Sequence, residues 1–202
     1  MKKLGLALVL AAITIGANAQ TEKGKKILGG EVSLQSQKVE GSTNENFSFT
    51  FLPAFGYFVK DNLALGTGIG YRSNESSTSV NNAIIVAPFG RYYVNVAKQF
   101  KFYTELSVPL SFGADKTLKA DGSVDRKTAS TTNIGVNLSP GFVFFPTTKI
   151  GVQLSFSGLY FDNETKKTFP VESDDPVAKT TTNTFGLGFN SFSPSLGVFF
   201  HF

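Results

Sequence analysis

From Lys25 onward, apolar residues recur at every second position. The segment KFYTELSVPLSFG shows this best: Phe102, Thr104, Leu106, Val108, Leu110 and Phe112 share one face, and Tyr103, Glu105, Ser107, Pro109 and Ser111 the other. A period of two is that of a β-strand with one apolar face. The same alternation predicts strands at about 25–37, 46–58, 63–72, 83–95, 132–145, 149–161 and 183–202, making eight with the first. In the last of these the apolar residues switch from odd positions (Phe185, Leu187, Phe189) to even ones (Phe192, Leu196, Val198, Phe200, Phe202), so a bulge is expected near Asn190. No helical period appears in this part of the chain.

The connections alternate in length. VKDN (59–62), VAKQ (96–99) and PTTK (146–149) are short, whereas 38–45, 73–82, 113–131 and 162–182 are long and polar. Short turns at one end and long loops at the other describe an up-and-down membrane barrel, with periplasmic turns and extracellular loops. Centring each short turn predicts the pairs Tyr57 with Leu63, Phe55 with Leu65, Val94 with Phe102, Val86 with Leu110, Phe144 with Ile150, Phe142 with Val152 and Leu138 with Phe156. Apolar meets apolar in each, as a shared face requires.

Alternation alone does not say which face meets solvent; the polar face does. It reads Gly29, Glu31, Ser33, Gln35 in the first strand, Ala64, Gly66, Gly68, Gly70 in the third and Gly151, Gln153, Ser155, Ser157 in the seventh. A water-facing sheet would carry Lys, Arg and Glu there. Within strand interiors only Glu31, Arg91 and Glu105 are counted as charged, so this face suits an enclosed lumen and the apolar face suits lipid. A stretch such as Phe102 to Phe112 has the roughly 9–11 residues that a tilted strand needs to cross a bilayer. Aromatics gather at strand ends, Tyr57, Phe58, Tyr92, Tyr93, Phe100, Phe144 and Phe145 towards the short turns and Phe47, Tyr71, Phe112 and Tyr160 towards the long loops. They suggest interfacial girdles, here without Trp.

Composition adds compartment and size. MKKLGLALVLAAITIGANAQ has two lysines, an apolar run too short to span a bilayer, and the triplet Ala17-Asn18-Ala19, the layout of a secretory signal cleaved after Ala19. The expected division is therefore 1–19 signal peptide and 20–202 barrel domain. Loss of Lys2 and Lys3 lowers the formal charge from +4 to +2, which removes the case for nucleic-acid binding. The chain has no cysteine, so neither disulfides nor a lipid anchor on cysteine is expected. No cofactor is called for: no metal cluster, phosphate loop or nucleophile elbow is present.

Three stretches carry a resemblance: PAFGYFVKDNLALGTGIGY (53–71), APFGRYYV (87–94) and the terminal SLGVFFHF (195–202). The chain resembles the small outer-membrane β-barrel domain common among Bacteroidetes-type bacteria, a relative of the OmpA and OmpX barrels. The resemblance implies an eight-stranded antiparallel barrel in the outer membrane with both termini periplasmic, and it says little about activity. Ser195, Gly197, Phe200 and Phe202 look like the C-terminal signal read by the barrel assembly machinery. No peptidoglycan-binding domain is expected after Phe202, nor a plug domain before Lys25.

Among single residues, Arg91 and Glu105 share the lumen parity and stand seven residues either side of Lys98, so an ion pair is expected, with Glu31 able to join it. His201, the one histidine, falls on the lumen side at the periplasmic rim, away from where a lipid hydrolase needs it. Asp174 and Asp175 are more simply a solvated loop than a calcium site, and Phe169 and Pro170 are apolar loop residues open to a partner. The function expected is non-enzymatic, structural or surface-interaction: a monomeric barrel contacting outer-membrane lipid and an unknown extracellular ligand through its long loops. A narrow channel for small solutes or ions gated by the Arg91–Glu105 pair, a lipid-modifying enzyme and a soluble ligand-binding barrel remain open as rivals.

Overall fold

The alternating segments form strands throughout. A computed structural model describes residues 20–38, 45–119, 121–170, 176–188 and 195–202. It contains β1 (Lys26–Lys38), β2 (Glu45–Lys60), β3 (Leu63–Glu75), β4 (Ser79–Ala97), β5 (Phe100–Ser107), β6 (Leu110–Leu118), β7 (Val124–Phe144), β8 (Ile150–Ser155), β9 (Leu159–Thr168), β10 (Ala178–Leu187) and β11 (Ser195–His201). Each is antiparallel to its neighbours, and β5 with β6, β8 with β9 and β10 with β11 act as upper and lower parts of single staves. The result is a closed eight-stave meander. Proline explains the first interruption: Pro109 has no N–H to give, so the ladder stops at β5 and resumes at β6, with Val108 N–H bonded to Pro88 and the Pro109 carbonyl accepting from Gly135. The predicted export signal lies outside the described residues, as do Asn190, Asp174 and Asp175.

Closure comes from the last strand. Ile27 pairs with His201 and Leu28 with Phe200. Lys26 N–H donates to the Phe202 carbonyl at 2.7 Å, and Phe202 N–H donates back at 3.1 Å. The apolar C-terminus is thereby a seam of the wall. The parity switch expected in the last stave is present: Phe185 and Leu187 face outward in β10, whereas Val198 and Phe200 face outward and Phe199 and His201 inward in β11.

Outward residues are strongly exposed, Ile84 at 59% and Leu106 at 51%, while inward residues of the same strands, Ile85 and Tyr103, fall to 3% and 1%. A continuous apolar exterior of this kind is stable only against lipid. Four girdle assignments need correcting. Phe58, Tyr93 and Phe145 are buried inside the barrel, and Tyr160 has the inward parity with its ring over Gly186; being adjacent in sequence to outward residues, they point the opposite way. Tyr57, Tyr92 and Phe144 do face outward.

Two registers also differ from expectation. Tyr57 pairs with Leu65 and Phe55 with Thr67, because a bulge between Phe58 and Lys60 and a tight turn with Asn62 at φ 64° move the ladder by two. Phe144 pairs with Val152, Phe142 with Leu154 and Leu138 with Leu159 rather than with Ile150, Val152 and Phe156. Here Thr147 Oγ1 accepts from the N–H groups of Lys149 and Ile150 at 3.2 and 3.0 Å, widening the turn. The pairs Val94 with Phe102 and Val86 with Leu110 are as predicted. Most of the long loops prove to be β-ribbon: β4 runs for 19 residues and β7 for 21, well past the span a bilayer needs.

Candidate functional site

The lumen is filled at the end that carries the chain termini. Ile27, Phe58, Ala64, Tyr93, Tyr103, Val143, Phe145 and Phe199 form one buried cluster there. The Tyr93 ring lies tilted at 5.7 Å from Phe58 and 5.8 Å from Tyr103, and His201 stands 4.9 Å from the Phe145 ring. The glycines of the polar face make room for these rings: a Cβ on Gly141 would run into Tyr103, and one on Gly66 into Phe89.

Beneath the cluster lies the segment Gln20–Lys25. Gln20 and Thr21 are buried. His201 Nδ1 donates to the Gln20 carbonyl at 2.8 Å, Thr21 donates its hydroxyl to Asn62 at 2.6 Å, and Lys101 Nζ donates to Thr21 Oγ1 at 2.6 Å. Lys101 was not among the charged interior residues expected, although it shares the parity of Tyr103 and Glu105; that parity was the signal available. His201 is inward at the rim as expected, and its Nε2 is buried with no hydrogen-bond partner among the described residues.

Arg91 lies on top of the cluster. Glu105 stands directly opposite in the β4–β5 ladder. Arg91 Nε donates to Glu105 Oε2 at 2.7 Å, Nη2 lies 2.5 Å from the same oxygen, and Nη1 donates to Gln153 at 2.8 Å and to Tyr93 OH at 3.3 Å. Rings surround the guanidinium, with centroids at 4.6 Å for Tyr103 and 5.0 Å for Phe199. The cation is therefore both paired and covered, the condition under which a buried charge is tolerated. Glu31 does not join the pair. It is exposed in the same lumen, and among the described residues it has no ion-pair partner, since Gln153 and Tyr93 take the remaining Arg91 donors.

Above this layer opens a cavity of about 710 Å³. Leu52, Phe89, Phe199 and Ala87 give it apolar walls, Arg91, Glu105 and Gln153 its base, and Glu31 and Ser33 one side. Gly197 of the expected assembly signal also lines it. Of the other signal residues, Ser195 pairs with Ser155, and Phe200 and Phe202 are half exposed on the outer wall. Phe169 is partly covered, with Lys127 Nζ 4.7 Å from its ring. Among the described residues no group of His, Cys, Asp and Glu is placed to hold a metal.

A closed barrel, greasy outside and ion-paired within, is what a family model described as the outer membrane protein β-barrel domain fits over residues 5–191. The chain belongs to that family. It is an integral outer-membrane β-barrel. No curated protein matches the chain. Among solved structures this barrel is similar to the N-terminal β-barrel domain of Pseudomonas aeruginosa OprF, at 14% identity and a TM-score of 0.40, with 91% of this chain and 100% of that chain covered.

Proposed function

We propose that this outer-membrane barrel is a non-enzymatic surface-interaction protein that binds through the ribbons beyond its apolar band. The observation that carries this reading is the contrast between its two ends. At the end with the termini, rings and Arg91 occupy the lumen cross-section, which leaves side chains where a solute path would run. At the other end β4 and β7 rise well past bilayer length, and β9 and β10 continue the ribbon beside β7 with polar residues on both faces.

A hollow of about 340 Å³ at that end is lined by Gln35, Gln37, Asn46, Ser48, Asn74 and Asp115 among others. Amides, hydroxyls and carboxylates converging in a concavity are what a polar ligand needs for orientation. The termini end is the periplasmic one in this proposal, consistent with a signal peptide at 1–19 and with Phe202 in the closing seam, where the assembly machinery would engage β11.

Two measurements test the reading. The chain lacks cysteine, so an impermeant maleimide on whole cells is expected to label Ser123→Cys at the β6–β7 tip and to leave Lys98→Cys at a short turn unlabelled. Planar bilayers holding the purified barrel should give flat traces at several voltages. Stepwise currents altered by Arg91→Ala would establish a channel instead, and altered lipid A or phospholipid profiles on overexpression an enzyme.

A further inference from the structure

The ladder that closes the wall between β1 and β11 is short. Among the described residues the seam is held by Lys26 with Phe202, Ile27 with His201 and Leu28 with Phe200, and the ladder goes no further. At the same register Gly29 to Ser33 would continue against Phe199 to Ser195, and both stretches are strands; yet there β1 is laddered to β2 alone and β11 to β8 alone. The cause is local. Gly30 has φ +139°, a conformation that residues with a Cβ rarely adopt, and a Cβ there would strike the Leu52 carbonyl and Pro53 of β2. This bend keeps β1 on β2 as it departs from β11.

The slit lies at the depth of the apolar band. Val32 on one lip and Val198 on the other face outward and are exposed. Both also line the 710 Å³ cavity beside the inward-facing Glu31 and Ser33, so cavity and slit are continuous. Unpaired strand edges at this depth are tolerated only where protein buries them or where they line a cavity. Here they line one.

We propose that the slit is a lateral portal by which an amphiphile with a cationic head passes between the membrane and the cavity. Leu52, Phe89 and Phe199 supply apolar walls for its body, in a cavity of a size ordinary for small-molecule sites. The choice of head follows from the charges. Arg91 offers an anion nothing, because its donors go to Glu105, Gln153 and Tyr93 and its faces to rings. Among the described residues Glu31 has no ion-pair partner, and an amine or quaternary ammonium is the group that it would hold beside the slit while the chain behind is buried.

The chain has neither Trp nor Cys, so introduced reporters are unique. In nanodiscs, Leu52→Trp emission is titrated with dodecyltrimethylammonium, dodecyl maltoside and dodecanoate, and Leu106→Trp on the outer wall reports partition into lipid. The expected result is a saturable response of Leu52→Trp alone, strongest for the cation and weakened about fivefold by Glu31→Gln. A short bismaleimide joining Val32→Cys to Leu196→Cys should abolish it. Calorimetry on the unaltered chain must give the same ranking of heads. Equal responses to all three amphiphiles, no saturable response, or indifference to Glu31→Gln or to the staple overturns the proposal. So does direct disulfide formation between the two cysteines in the unliganded barrel, which would mean that the two edges already meet at this level. None of these outcomes bears on binding by the ribbons.

Discussion

Arg91 and Glu105 face each other across the β4–β5 ladder and close an ion pair of 2.5 Å inside a barrel whose outer wall meets lipid. Removing one partner strands the other. Arg91→Ala and Glu105→Ala are each expected to destabilise the barrel by about 3–5 kcal/mol, read as unfolding midpoints in lipid-containing denaturant series. Arg91→Ala is the costlier, since it also frees Gln153. The double variant should lose clearly less than the sum, because neither charge is then left alone. Additive losses would mean that the pair contributes no coupling.

Tyr103 lies across the backbone of Gly141 with no room for a methyl group between them. Gly141→Ala therefore overpacks the sealed end and should cost about 1–3 kcal/mol. Combining it with Tyr103→Leu relieves the collision, so the second change should restore part of the loss. A Gly141→Ala barrel with an unchanged unfolding midpoint would contradict the packing described.

The Arg91–Glu105 contact was legible in the sequence because one parity and one short turn fix it, and no bulge disturbs the intervening ladder enough to change it. The other two hairpins slipped by two residues for reasons that hydrophobic pattern does not encode: a bulge beside Val59 in one, and the Thr147 hydroxyl holding a wider turn in the other. The hydrophobic pattern predicts loops where the ribbons lie because beyond the apolar band both faces are polar, and alternation vanishes although pairing continues. Gln20 and Thr21 had no periodic signal at all; their burial is a tertiary fact set by Lys101, Asn62 and His201.

His201 is buried among Phe58, Tyr93 and Phe145, and one of its ring nitrogens has no partner among the described residues. Its contribution is then mainly that of a ring. His201→Phe loses the bond to Gln20 but also the orphaned nitrogen, so stability should change by no more than about 1 kcal/mol. His201→Ala leaves a cavity and should cost about 2–5 kcal/mol. If both substitutions proved equally damaging, the imidazole would have a role beyond packing.

Asp115 and Lys166 join the ribbons β6 and β9 outside the band, three residues past the outward ring of Phe112 and next to the outward Lys116. Partial burial acts to raise the Asp115 carboxyl, but the hydrogen bonds from Lys166 and Asn81 and the lysine charge outweigh it and hold the group below its ordinary 3.8. A carboxyl depressed on folding stabilises the folded ribbons in full above its unfolded value, and that contribution is lost as pH falls through the lower folded value. Lys166 is half exposed, so the amount is small, about 0.2–1 kcal/mol. A carboxyl titration followed by NMR should place the Asp115 midpoint below the ordinary range, and Lys166→Met should raise it. A midpoint that Lys166→Met leaves unmoved would mean that the 2.7 Å contact between the two side chains does not persist in solution.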